Sequence, residues 1–156
     1  MTKEDVLKHL KIAKHAHTRL LQKAKILIDN IDIEEHTKPI NSSETDFGIW
    51  FNSDGQRLSA LSNNPLECMQ NIKMMHTDLY EMYSNIYNIY CEGTQNKGFF
   101  SKVLGLGKKE VDEDTKILAL EYYEKMNITD KGLFDEISRL ERRLVAISDE
   151  KIESLV

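Results

Sequence analysis

The chain predicts an all-α fold: a four-helix-bundle-like domain over residues 1–92, a linker over 93–111 and a C-terminal helical hairpin over 112–156. Apolar periodicity is the first observation behind this. Val6, Leu10, Ala13, His17, Leu20, Ala24 and Leu27 recur at alternating four- and three-residue steps, as do Met69, Ile72, His76, Leu79, Tyr83, Ile86 and Tyr90. Each set marks one stripe along a helix. The second observation is helix-start chemistry ahead of both stripes. Thr2 precedes Asp5 by three residues, and Asn64-Pro65-Leu66-Glu67 joins a capping amide, a proline and an early acid. A third stripe, Leu133, Ile137, Leu140, Leu144 and Ile147, extends the helical reading to the C-terminal end.

Taken in order, the first helix opens at Thr2 and runs to about Asn30. Residues 31–41, with Pro39, form a connection. Ser43 and Asp46 are spaced as a capping pair for a short helix, Thr45 to Phe51, that turns Phe47, Trp50 and Phe51 inward. Gly48 within it permits a close backbone approach. Asn52-Ser53-Asp54-Gly55 is turn chemistry, and Gln56 to Leu61 adds one or two helical turns. The helix launched at Asn64-Pro65 continues to about Tyr90. Its tyrosines, Tyr80, Tyr83, Tyr87 and Tyr90, are spaced for core or interface packing. Glu92 to Gly98 ends it. Residues Phe99 to Lys109 are apolar with a basic end, a linker suited to docking on the bundle or a partner. A phosphate loop is excluded, because Lys102 stands where glycine is required and Lys109 where serine or threonine is. Helices over Asp112–Met126 and Thr129–Val156 follow. The last stripe, flanked by Glu141, Arg142 and Arg143, either forms a short coiled-coil seam or packs back on Ile117 and Leu120 or on the first domain.

Composition narrows the function classes. A formal net charge of −5, with 30% charged and 40% hydrophobic residues, describes a globular chain without the basic balance of a nucleic-acid binder. No segment approaches the roughly 20 apolar residues that span a bilayer, and the charged start Met1–Asp5 is unlike a secretory signal. The expectation is a cytoplasmic protein without stable membrane insertion. Cys68 and Cys91 have no framework spacing and are expected to be reduced, semi-buried hydrophobes. The chain has no metalloprotease, di-iron, nucleophile-elbow or dinucleotide motif, so it is not expected to be an enzyme.

The most informative residues are His17 and His76, each at the middle of an apolar stripe. An imidazole buried without partners costs about 1–3 kcal/mol, so something must satisfy both rings. A transition metal does this, and so do ordinary polar neighbours. Between them lie Thr45-Asp46-Phe47-Gly48-Ile49-Trp50, and His76 opens His76-Thr77-Asp78-Leu79-Tyr80. With the lead-in Ala13-Lys14-His15-Ala16-His17, this order and spacing over the first ninety or so residues resemble the chemoreceptor zinc-binding domain family. That family has Ala-Lys-x-x-His, then Cys-x-apolar-Gly-x-aromatic, then His-x-x-x-His. The chain departs from it at two of four ligand positions: Thr45 replaces the cysteine and Tyr80 the last histidine.

The resemblance implies a bacterial cytoplasmic sensory or regulatory module that acts on a chemotaxis or second-messenger output through a protein partner, often as a homodimer. It implies a divalent metal, zinc above all, at His17 and His76. Neither a threonine hydroxyl nor a tyrosine of pKa about 10 is a good zinc donor, so three arrangements are open. Asp46 joins the two histidines as an oxygen ligand. Or Thr45 and Tyr80 hydrogen-bond the histidines in a metal-free pocket that also contains Trp50. Or His9, His15 or His36 supplies a ligand, although His15 faces away from His17. Without the cysteine, oxidant sensing through a zinc thiolate is lost. The rival reading is a metal-free structural adaptor or dimerisation protein that keeps the same bundle.

Overall fold

Thr2 begins the first helix with a reciprocal capping box. Its hydroxyl accepts from the Asp5 N–H at 3.1 Å, and the Asp5 carboxylate accepts from the Thr2 N–H at 3.3 Å. In the computed structural model, which describes residues 1–29, 31, 36–91 and 111–155, this helix, α1, spans Lys3–Ile28. Its buried residues are the seven of the first stripe, His17 included. A 3-10 turn at Ser42–Glu44 and the short helix α2, Asp46–Asn52, follow, then a second 3-10 segment at Asp54–Ala60. The caps differ from expectation by one residue or two. Asn41 caps the first turn and Thr45, rather than Ser43, caps α2.

Helix α3 spans Leu66–Cys91. It starts one residue later than the Asn-Pro signal suggests, because Pro65 contributes its carbonyl, accepting from Met69 N–H at 2.9 Å, while Asn64 adopts φ 49°. Tyr83 and Tyr87 are buried, and Tyr80 and Tyr90 pack partly buried against the same core.

The C-terminal half corrects the sequence reading. Instead of a hairpin, residues Glu113–Val145 form one 33-residue helix, α4, followed by the short α5 at Asp149–Glu153. Asn127, Thr129 and Gly132 weaken helix propensity where a break was expected. The buried register Ala119, Met126, Leu133, Ile137, Leu140 and Leu144 runs through that region without a change of face, and packing outweighs propensity. The last stripe therefore joins the bundle core rather than forming a seam of its own. Ile117 and Leu120 are not its partners, being 54% and 46% exposed. The expected linker, with Phe99 to Lys109, lies outside the described residues except for Val111.

The long helices run in a consistent order. Lys14 bonds Ser138 and Glu141, Lys3 pairs with Asp149, Cys68 bonds the Glu136 carbonyl, and Asn63 bonds Arg143. Thus α4 is antiparallel to both α1 and α3, and α1 and α3 are parallel, joined by a long crossover that carries α2. One core includes side chains from all three long helices and from α2, and no strand occurs among the described residues. No described helix is long and apolar enough to cross a membrane.

Candidate functional site

The α1 and α3 stripes bring His17 and His76 together at mid-bundle, 2% and 5% exposed. His17 Nε2 lies 2.8 Å from His76 Nδ1. His76 Nε2 lies 3.0 Å from the Ser42 carbonyl oxygen and 3.2 Å from Thr45 Oγ1. The protons can be placed by elimination. The Ser42 carbonyl only accepts, and the Thr45 hydroxyl already donates to it at 2.7 Å. His76 Nε2–H must therefore donate, leaving Nδ1 as the acceptor for His17 Nε2–H. The result is a directed chain from α1 through α3 to the Ser42–Thr45 turn.

Local sequence builds that turn. Thr45 Oγ1 accepts the Gly48 N–H at 2.9 Å as the α2 N-cap, which fixes the hydroxyl beside His76. Gly48 is required sterically: a Cβ there would sit 2.0 Å from the Ser42 oxygen, the atom that anchors His76. Phe47 closes the site with its ring edge-on to both imidazoles, at centroid distances of 5.9 Å to His17 and 5.1 Å to His76. This surrounding disfavours charge. Burial first, then the neighbouring His76, pushes His17 down from 6.5 to about 3. Burial also lowers His76, partly offset by the Ser42 carbonyl. Both rings are neutral near pH 7.

The other expected site residues divide. Thr45 joins the cluster. Tyr80 touches it by ring contact only, T-shaped to His76 at 4.9 Å, with its phenol pushed up by burial and then by the Asp46 charge. Asp46 is exposed at the first turn of α2 and does not complete a group with the histidines; no three His, Cys, Asp or Glu side chains cluster for a metal among the described residues. Trp50 is buried farther along α2, stacked on His9 at 4.5 Å and 5°. That stack occupies His9, and His15 is exposed. Ser42 is the participant that sequence reasoning missed. It acts through its backbone carbonyl, which has no side-chain signature.

A zinc ion fits this donor set poorly. Two nitrogens on one tetrahedral zinc, each about 2.0–2.1 Å from the metal, stand about 3.3 Å apart. Here they are in direct hydrogen-bond contact at 2.8 Å. The nearest oxygens lie on the wrong side, because His76 turns Nδ1 to His17 and Nε2 to Ser42 and Thr45. One ion cannot take His17 and Thr45 through a single nitrogen of His76 in this orientation. Thr45 is committed to two other bonds, and Tyr80 is held further from its anionic form than in water.

A shallow cleft of about 360 Å³ opens beside the cluster, between Asn41–Ser43, Asn52, Lys73 and Thr77. No protein-family model matches the chain, and no curated protein or solved structure matches it.

Proposed function

We propose that this chain is a non-catalytic, cytoplasmic regulatory adaptor in which a neutral histidine pair does the tying that a zinc ion does in chemoreceptor zinc-binding domains. The observation that carries the reading is the directed bond from His17 Nε2 to His76 Nδ1, continued from His76 Nε2 to the Ser42 carbonyl. It joins α1, α3 and the crossover at one point, and it uses three of the four ring nitrogens without a metal. Thr45, at the position of the family's cysteine, supports the same chain. Such a directed polar junction holds two parallel helices in one register, a useful property in a module that passes helix position to a protein partner.

The second reading, a divalent-ion sensor, draws on the same convergence of imidazoles and requires the His76 ring to turn. Metal analysis of untagged protein, with melting before and after chelator, separates them. The adaptor reading expects metal well below one ion per chain and an unchanged melting temperature. About one ion per chain, lost to chelator with a fall in melting temperature, overturns it.

A further inference from the structure

The outer face of α1 is as unusual in charge as its inner face is in histidine. From Val6 to Ile28 the helix carries Lys8, Lys11, Lys14, Arg19, Lys23 and Lys25 and no acid, in a chain of formal net charge −5. Two of these cations are engaged within the molecule: Lys14 with Glu141 at 2.6 Å and Lys25 with Asp29 at 2.5 Å. Lys8, Lys11 and Arg19 are exposed and have no ion pair among the described residues. With exposed His15 they recur at three-, four- and four-residue steps, which puts them in one line opposite the buried stripe. By helical rise the line is about 16 Å long. Ile12, 48% exposed, lies beside it.

Lys8 and Lys11, three residues apart, repel by a few tenths of a kcal/mol, about what an opposite charge would gain. Elsewhere on this surface the same spacings are filled with opposite charges, as in Lys25–Asp29, Arg57–Asp54, Lys116–Glu113 and Arg139–Glu136. On the α1 line only Lys8 has an acid at such a spacing, Glu4 one turn earlier; Lys11, His15 and Arg19 have none within the helix.

We propose that the outer face of α1 docks an acidic helical segment of a partner protein, with one carboxylate per turn along Lys8, Lys11, His15 and Arg19 and an apolar side chain over Ile12. This deepens the adaptor reading by naming the partner's chemistry, and it involves none of the atoms of the histidine junction. A long phosphate polymer is disfavoured by the net charge and by Glu113, Asp114, Glu121 and Glu124 on the exposed first half of α4. A bilayer is disfavoured because the apolar side of α1 is consumed in the core, which leaves Ile12 little company for insertion.

The test titrates the full chain with a short helical peptide bearing glutamate on every turn and, in parallel, with its glutamine counterpart, an oligothymidylate and phosphatidylserine vesicles. The glutamate peptide should bind, more weakly as salt rises. Lys11→Glu with Arg19→Glu should weaken it by about tenfold or more, with circular dichroism unchanged. Lys73→Glu, an exposed change on α3, should leave binding as it was. The proposal is overturned by no binding of the glutamate peptide, by equal loss with Lys73→Glu, or by tighter binding of the oligonucleotide or the vesicles. Self-association of the chain that Lys11→Glu and Arg19→Glu abolish also overturns it, because the occupant is then the acidic face of a second copy. Metal analysis is indifferent to all of these outcomes, so failure here and failure of the histidine junction are distinguishable.

Discussion

If the two imidazoles satisfy one another, removing one must hurt more than removing both. In His17→Leu, the Nδ1 atom of His76 keeps its lone pair but loses its donor, on a residue that is buried, 5% exposed. A change of tautomer leaves the same atom unpaired, now as an Nδ1–H without an acceptor. The cost of such an orphan is about 1–3 kcal/mol. In His76→Leu, the orphan is His17 Nε2–H, at a similar cost, while the Ser42 carbonyl retains the Thr45 hydroxyl. In the double leucine variant both orphans are gone, and leucines of comparable size face Phe47. The double variant should therefore be less destabilised than the sum of the singles, by a coupling of about 2–6 kcal/mol, the two orphan costs together. Urea unfolding of the four proteins, with and without chelator, measures this directly, and a constant m-value licenses the comparison. Additivity within about 0.5 kcal/mol would refute the bonded pair. A coupling that disappears on adding chelator would mean that a metal mediates it.

Three further predictions concern the same region. Gly48→Ala drives a Cβ into the Ser42 carbonyl, so it should destabilise by at least about 1–3 kcal/mol and shift the His76 ring resonances, neither of which a glycine-to-alanine change at an open helical site would do. Acid should weaken the fold in a defined window: both histidines have folded pKa values below the ordinary 6.5, so the unfolded chain takes up protons first as pH falls. Their stabilisation is complete above 6.5 and falls as the pH drops below it, for His17 down to about 3, at up to about 1.4 kcal/mol per pH unit for each ring, and denaturation of the double leucine variant should lack that slope. Thiol titration of the native protein should modify Cys91 well before Cys68, which is 1% exposed, donates to the Glu136 carbonyl at 3.1 Å and is pushed up to about 12, chiefly by burial; equal rates would refute its placement.

Apolar spacing alone made α1 and α3 legible, because a stripe of apolar residues is a property of local spacing. It gave away the inward direction of His17 and His76 for the same reason: each sits at a position whose direction is set by neighbours three and four residues away. Gly48 was legible as a close approach, and Thr45 as a member of the pocket. The tertiary structure decided everything that depends on which stripe meets which. Local propensity suggested a break near Asn127–Thr129, yet α4 runs through it because α1 and α3 offer one continuous face to bury it against. The choice between a metal and a hydrogen bond was likewise invisible in residue types. It rests on the orientation of one ring, His76, and that orientation is set by a backbone carbonyl at Ser42, thirty-four residues away. A carbonyl is common to every residue, so only folding can give one of them a role.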